Sequence, residues 1–314
     1  MKAVRFHEFG GPEVLRQEDV DVPEPGAGQV RVRVAATSFN GIDGNIRGGY
    51  MQGPIPVELP HTPGIDVAGT VDALGEGVTG LRVGDPVVGF LPMVADGASA
   101  EHVVVPADVL AAAPTSIPLA DAAALPVVGL TAWQALFDHG GLTDGRRVLV
   151  NGAGGAVGGY AVQLAKAAGV HVVATASPRS AERVRAAGAD EVVDHTTTDV
   201  RTAVTEPVDV VLNLAPVNPD QLAALVSLVR PGGVVVSTTV WMPTPSDEAR
   251  AVRGVDLFVR SDTDQLSELV ARVDRGELHV DVAERVALAD LASVHARALT
   301  GGISGKVVVL VAEA

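Results

Sequence analysis

Residues 147–166, RVLVNGAGGAVGGYAVQLAK, constrain the fold of this chain more than any other stretch. A short apolar run predicts a buried strand, a glycine-dense turn follows at 151–159, and an amphipathic helix comes next. The spacing Ala153-x-Gly155-x-x-Gly158 is that of the dinucleotide fingerprint, with alanine in its first small position. The first residue permits a tight turn, the second lets a pyrophosphate approach the backbone, and the third lets helix and strand pack closely. The pattern predicts a dinucleotide site at the helix N-terminus.

Composition excludes several classes of function. At 314 residues the chain can hold two domains, and its 47% apolar content suits a globular fold. A net charge of −15 argues against nucleic acid or an anionic membrane surface as partner. The absence of cysteine removes disulfides, thiolate-bound zinc and thiol nucleophiles. Because neither a signal region nor a membrane-length apolar run is visible, we expect a soluble, cytoplasmic protein.

The pattern of elements changes near residue 118. Before it, short alternating runs separated by Gly and Pro predict a small antiparallel barrel. After it, helices alternate with strands, as in a doubly wound parallel sheet. Six strands are predicted there, at 147–151, 170–175, 191–193, 209–213, 234–238 and 255–259. The fold class is thus α/β, with a discontinuous barrel domain (1–118 and 261–314, closed by a strand at 306–311) and a Rossmann domain (119–260).

Long blocks of sequence follow one another along the chain: MKAVRFHEFGGPEVL, PEPGAGQVRVRVAATSFNGID, PGIDVAGTVDALGEGVTGLRVGDPVVG, ALPVVGLTAWQAL, GAGGAVGGYAVQLAKAAG and ISGKVVVLV. In this order, and over essentially the whole chain, they resemble the medium-chain dehydrogenase/reductase superfamily, specifically its zinc-free quinone oxidoreductase branch. The resemblance implies a chaperonin-10-like barrel domain beside a Rossmann domain, with NADPH in the cleft between them. It also implies a homodimer formed through the last Rossmann strand, near 255–259.

The same resemblance bears on metal binding. The zinc-bearing branch uses Cys, His and Cys as zinc ligands, and the matching positions here are Asn40, Ile65 and Val127. None of these can supply a thiolate or an imidazole, so we predict no metal site. Asp43 and Asp66 match acidic neighbours of that zinc site. Two carboxylates without nitrogen or sulfur partners bind zinc poorly, and we expect a structural hydrogen-bonding role for them.

Cofactor-binding residues are expected where the parallel strands end. An NAD site needs an acid after the second strand, whereas this chain offers Ser177 and Arg179, which can hold a 2′-phosphate and favour NADPH. Arg183 is a further candidate, although a solvated charge opening a helix is the simpler interpretation. The remaining candidates come from the fingerprint, the other strand ends and the family motifs: Thr131, Ala156, Val157, His195, Leu214, Ser237 and Thr238. A helix cap for Thr131 and a surface-loop position for His195 remain open alternatives.

Without a metal, polarisation of a carbonyl must come from hydrogen-bond donors. Asn40 matches the family's active-site asparagine and can donate through its amide, and Tyr50 is a second catalytic candidate as a donor or an acid. A loop aromatic covering the cleft is an equally open interpretation of Tyr50, and we expect His61 to be a partly exposed loop histidine. Trp241, Met242 and Phe258 are candidate walls of the substrate site, with core or interface packing as the alternative for Phe258.

Together these observations predict an NADPH-dependent, zinc-independent reductase that transfers hydride to quinones or α,β-unsaturated carbonyl compounds. Two alternatives remain open at this point. One is a stand-alone enoyl reductase of a biosynthetic pathway, which would share the cofactor site. The other, from a different class, is a non-catalytic NADPH-binding sensor or structural protein.

Overall fold

The computed structural model describes residues 1–239 and 242–311, so Trp241 lies outside the described residues. The chain divides into two compact units. Unit 1 comprises Met1–Val127, Ser261–Gly276 and Val280–Ala314, and unit 2 comprises Val128–Arg260 and Glu277–His279. Residues 119–127 belong to unit 1, since the 3₁₀ helix Leu119–Ala124 packs against its strands.

The first segment of unit 1 consists mainly of strands. In chain order its elements are β1 (Lys2–Arg5), β2 (Arg16–Asp19), β3 (Gln29–Ser38), α1 (Gly41–Arg47), β4 (Asp66–Leu74), β5 (Pro86–Phe90), β6 (His102–Pro106) and β7 (Leu110–Ala112). The alternating run VRVRVA forms the middle of β3. Since successive side chains of a strand point to opposite faces, Val30, Val32 and Val34 all enter the core.

The central segment alternates helices with parallel strands. Its elements are α2 (Pro126–Trp133), β8 (Arg147–Asn151), α3 (Ala156–Ala167), β9 (His171–Ala176), α4 (Ala181–Ala186), β10 (Glu191–Asp194), α5 (Val200–Ala203), β11 (Val208–Asn213), α6 (Pro219–Val226), β12 (Val229–Ser237) and β13 (Arg253–Asp256). The strand order is β10-β9-β8-β11-β12-β13, and every neighbouring pair is parallel. This is the doubly wound order of a Rossmann sheet, whose direction of winding reverses between β8 and β11.

The last segment returns to unit 1. It contains α7 (Thr263–Asp274), β14 (Val282–Ala287), α8 (Leu291–Leu299) and β15 (Lys306–Leu310). The main sheet of unit 1 runs β14-β15-β3-β4-β5-β7, and β6 also pairs with β3. Since β15 pairs antiparallel with β3, the final strand closes the first sheet as predicted. The α/β fold class, a mainly antiparallel barrel-type sheet plus a Rossmann sheet, is confirmed. Within the described ranges, no helix combines the length and apolarity needed to cross a membrane.

Candidate functional site

The glycines of the loop between β8 and α3 have different structural roles. Gly152 has a φ of +90°, which favours glycine. At Gly158 a Cβ would lie 2.4 Å from the carbonyl oxygen of Ala153 and 2.5 Å from its Cα, so this glycine lets helix and loop pack closely. At Gly155 the nearest atom to an added Cβ would be the Gly152 oxygen, 3.6 Å away. The space over Gly155 is therefore open, which fits a pyrophosphate lying against the backbone.

The N-terminus of α3 faces that open space without a side-chain cap. Gly155 is the N-cap and offers no side chain, so the first-turn N–H groups, including those of Ala156 and Val157, suit an anion. Arg183 supports the loop, because its Nη2 donates to the Gly154 carbonyl at 2.6 Å. The simpler interpretation of Arg183 as a solvated charge is therefore wrong, since this half-buried side chain holds the glycine loop in place.

Buried polar side chains connect the carboxyl ends of neighbouring strands in unit 2. We call Thr175, Asn151, Asn213 and Ser237 the strand-end network. Thr175 accepts from the Gly152 N–H (2.8 Å) and donates to Asn151 Oδ1 (2.9 Å). Asn151 Nδ2 donates to Asn213 Oδ1 (2.8 Å), and Asn213 Nδ2 donates to Ser237 Oγ (3.1 Å). Asn151 and Asn213 are register partners across β8 and β11, so the network ties the glycine loop to the point where the strand order reverses.

Other predicted cofactor residues lie at the same edge of the sheet. The Leu214 N–H donates to the Asn151 carbonyl at 2.8 Å, and Thr238 Oγ1 donates to the Asn213 carbonyl at 3.3 Å. The Ser237 hydroxyl is buried and also lies 2.7 Å from Thr239 Oγ1. The topology thus brings these predicted residues to the ends of β11 and β12. Sequence reasoning did not identify Asn151, Asn213 or Thr175, although polar residues ending apolar strands are a usable signal.

A cavity of about 610 Å³ opens in unit 2 at the carboxyl ends of β8 to β11. His195 is exposed and lines it, together with Asn151, Gly152 and Thr175. Arg179 is exposed and makes no hydrogen bond or ion pair with any residue that the structure describes. Its guanidinium is therefore available to an anion. The half-buried Ser177 hydroxyl lies 3.4 Å from Ser180 Oγ.

In unit 1 a buried carboxylate gathers donors from distant segments. Asp66, at the start of β4, accepts from Ser38 Oγ, from Asn40 Nδ2 (2.8 Å) and from the Val127 N–H (2.8 Å). The Lys306 ammonium lies 3.2 Å from the same carboxylate and donates to Asn40 Oδ1 at 2.5 Å. Both side chains of this ion pair are at most 2% exposed. Sequence reasoning missed Lys306, whose signal was a charged residue opening the apolar run KVVVL.

Asp43 completes this buried polar cluster. It accepts from the Asn40 N–H (2.9 Å) and the Gly64 N–H (3.2 Å), at the start of α1. Burial raises the pKa of Asp43 to about 7, and the negative charge of Asp66 adds to the rise. The hydrogen-bonding role expected for both carboxylates is confirmed. Across the described part of the chain, no three His, Asp or Glu side chains are grouped to hold a metal ion.

The remaining predicted residues are placed separately. Tyr50 is 81% exposed, and its hydroxyl has no hydrogen-bond partner among the described residues. The expectation of a partly exposed His61 is wrong: the ring is buried edge-on to Phe6, with centroids 5.3 Å apart, and burial lowers its pKa. Thr131 is buried inside α2 rather than capping it, so the cap alternative does not hold. Phe258 is half exposed.

Comparison with known proteins places these features in a family. Residues 26–115 match the alcohol dehydrogenase GroES-like domain, and residues 187–309 match the zinc-binding dehydrogenase model. The chain is 31% identical to the chloroplastic quinone-oxidoreductase QR1 of Triphysaria versicolor, over 98% of each protein. It superposes on the Coxiella burnetii quinone oxidoreductase with a TM-score of 0.90 and 30% identity, over 99% of each chain. It also superposes on the Escherichia coli quinone oxidoreductase complexed with NADPH, with a TM-score of 0.88 and 25% identity, over 99% of this chain and 100% of that one.

Both matched models and the strand order define a dehydrogenase of the medium-chain type. The full-length similarity is more specific. The chain belongs to the quinone oxidoreductase branch of the medium-chain dehydrogenase/reductase superfamily.

Proposed function

We propose that this NADPH-dependent oxidoreductase reduces quinones, or α,β-unsaturated carbonyl compounds, without zinc. The observation that carries the proposal is the glycine loop. Gly158 is closed by protein contacts while Gly155 faces open space, in a chain whose full-length relatives include quinone oxidoreductases. A loop that served only for packing would need Gly158 but would not need a glycine at position 155.

The residues of unit 2 fit NADPH along its length. The backbone of the glycine loop and the uncapped start of α3 would hold the pyrophosphate. Ser177 and the exposed Arg179 would hold the 2′-phosphate, and His195 would lie beside the adenosine at the cavity. The nicotinamide end would be held by Thr131, Leu214, Ser237 and Thr238. The chemistry that the bound cofactor supplies is transfer of a hydride to an electrophilic acceptor.

In unit 1, Asn40 is the proposed donor to the acceptor's carbonyl oxygen. One amide hydrogen is directed to Asp66 at 2.8 Å. The other contacts only the Ser38 carbonyl, at 3.4 Å, which is a long hydrogen bond. A substrate oxygen can replace that long contact at small cost without any rotation of the amide, and the new bond would strengthen as negative charge develops on the oxygen. The exposed Tyr50 hydroxyl is the proposed proton donor, and water can replenish it.

Zinc independence rests on the donor set. Ile65 and Val127 offer no ligand side chain, and Asn40 Oδ1 and Asp66 are both bonded to the Lys306 ammonium. A divalent cation would have to displace that buried ammonium group.

The homodimer also remains a proposal: β13 is the outer strand of its sheet, and a second copy could extend the sheet there.

The test follows loss of NADPH fluorescence with a panel of quinones, enones and enoyl thioesters, with and without a chelator. We expect chelator-insensitive turnover that is fastest with quinones or simple enones. Faster turnover of enoyl thioesters would favour the biosynthetic enoyl reductase. Tight NADPH binding with no turnover of any acceptor would indicate a sensor, and stoichiometric zinc in the active enzyme would overturn zinc independence.

A further inference from the structure

We propose that Lys306 and Asp66 together fix the direction of the Asn40 side-chain amide, which makes Lys306 a positioning residue for the reduction. The inference rests on the proposed function, because it assigns Asn40 the role of donor. The three side chains meet inside unit 1, although Lys306 lies 266 positions from Asn40 and 240 from Asp66. Neither charged side chain is part of the dinucleotide loop, and each would otherwise be a costly group to bury.

The direction follows from which atoms can donate and which can accept. A lysine ammonium only donates hydrogen bonds, and an ionised carboxylate only accepts them. An asparagine amide has one end of each kind, and the two orientations have nearly the same shape. Here Asn40 Oδ1 faces the Lys306 ammonium at 2.5 Å and Nδ2 faces the Asp66 carboxylate at 2.8 Å. A flipped amide would set NH₂ against the ammonium and oxygen against the carboxylate.

The two charged groups have no freedom to follow a flipped amide. Lys306 Nζ donates to Asn40 Oδ1, to Asp66 Oδ2 and to the Phe39 carbonyl at 3.3 Å, which uses all three of its hydrogens. Asp66 is held on its other oxygen by the Val127 N–H at 2.8 Å. Because this cluster is buried, solvent does not screen these interactions.

The fixed direction decides what the site can recognise. With Nδ2 held toward Asp66, the group of Asn40 left with only a long hydrogen bond is an N–H, directed to the Ser38 carbonyl at 3.4 Å, and the amide oxygen is already bonded to Lys306. The site is thereby set to recognise a hydrogen-bond acceptor such as the carbonyl oxygen of a quinone or an enone. If Asn40 could flip, part of the population would present an oxygen and repel that carbonyl.

The kinetic test is a double-mutant cycle with Lys306→Met, Asn40→Ala and the double variant. Lys2→Met is the matched control, since it removes one lysine–aspartate pair from an exposed part of the same unit. We expect each single variant at the cluster to lower kcat/KM for a quinone about 10²-fold, with the Kd for NADPH changed less than about 3-fold. We expect the double variant to lose no more than about 3-fold beyond Asn40→Ala, because Lys306 acts through Asn40. Multiplication of the two single losses would overturn the proposal.

A second measurement uses the wild-type chain, so it does not depend on folding of Lys306→Met or of the double variant. Asparagine side chains are labelled with ¹⁵N, and the Asn40 amide is assigned by its loss in Asn40→Ala. We expect one slowly exchanging amide proton, bonded to Asp66, and one that exchanges faster. Equal, fast exchange of both protons would refute the positioning role. Unequal exchange in a protein that turns over no acceptor would support the positioning role and refute the proposed function.

Discussion

Replacing Gly158 with alanine would place a methyl carbon 2.4 Å from the carbonyl oxygen of Ala153, 2.5 Å from its Cα and 2.6 Å from its carbonyl carbon. All three atoms are backbone, so no side-chain rotation relieves the contact. Helix α3 and the loop would have to separate by about 1 Å, and overpacking of this kind costs about 1–3 kcal/mol. Since the same shift moves the helix N-terminus, Gly158→Ala should lose both stability and NADPH binding.

Two neighbouring glycines are matched controls for Gly158. At Gly155 an added Cβ meets only the Gly152 oxygen, at 3.6 Å, so Gly155→Ala should change the free energy of unfolding by less than about 1 kcal/mol. Its methyl group would nevertheless occupy the space proposed for the pyrophosphate, and NADPH affinity should fall at least about 10-fold. At Gly159, inside α3, an added Cβ meets nothing within 4 Å, so Gly159→Ala should gain about 0.5–1 kcal/mol.

The assay is urea unfolding of all three variants, combined with titration of NADPH by fluorescence. The reasoning requires a dissociation between the two measurements. Gly158→Ala should lose both stability and NADPH affinity, whereas Gly155→Ala should lose NADPH affinity alone. Gly159→Ala should be the most stable of the three. Unchanged NADPH affinity in Gly155→Ala, or full stability in Gly158→Ala, would refute this assignment of tasks within the loop.

Three further predictions concern charge and polarity. Burial raises the pKa of Asp43 to about 7, so between about pH 4 and 7 the folded chain holds a proton that the unfolded chain has lost, and stability falls as pH rises through this window. From pH 4 to pH 7 the free energy of unfolding of the wild type should fall by roughly 4 kcal/mol relative to that of Asp43→Asn. Parallel pH dependences of the two proteins would contradict the raised pKa. Arg179→Ala should lower the preference for NADPH over NADH, as kcat/KM, by about 10- to 100-fold, whereas the exposed Arg185→Ala on α4 should leave it within about 2-fold. Asn213→Asp removes the donor to Ser237 and buries a charge, so it should cost on the order of 3 kcal/mol in urea unfolding, a loss that shrinks as pH is lowered; a loss independent of pH would argue against a buried charge as the cause.

The elements of the Rossmann sheet could be predicted because their signals are local. The predicted bounds of β8 match those observed, β9 is displaced by one residue, and β11 begins one residue earlier than predicted and ends where predicted. Strand β12 begins five residues before the predicted 234, because Val229 already pairs with Val208 across an irregularity in register. Residues 230–233, RPGG, show no apolar–polar alternation that would predict this pairing, because the pairing depends on the partner strand rather than on the segment itself.

The amino-acid sequence alone determined the glycine loop, the alternation of strands and helices, and the lack of thiolate ligands, because each depends on residues that are neighbours in the chain or on composition. Only the tertiary structure decided that Lys306, Asp66 and Asn40 meet, that Asn151 pairs with Asn213, and that His61 is buried. Such contacts join side chains from separate segments. No period of 2 or 3.6 residues encodes them, since they follow from how the strands are ordered and set in register.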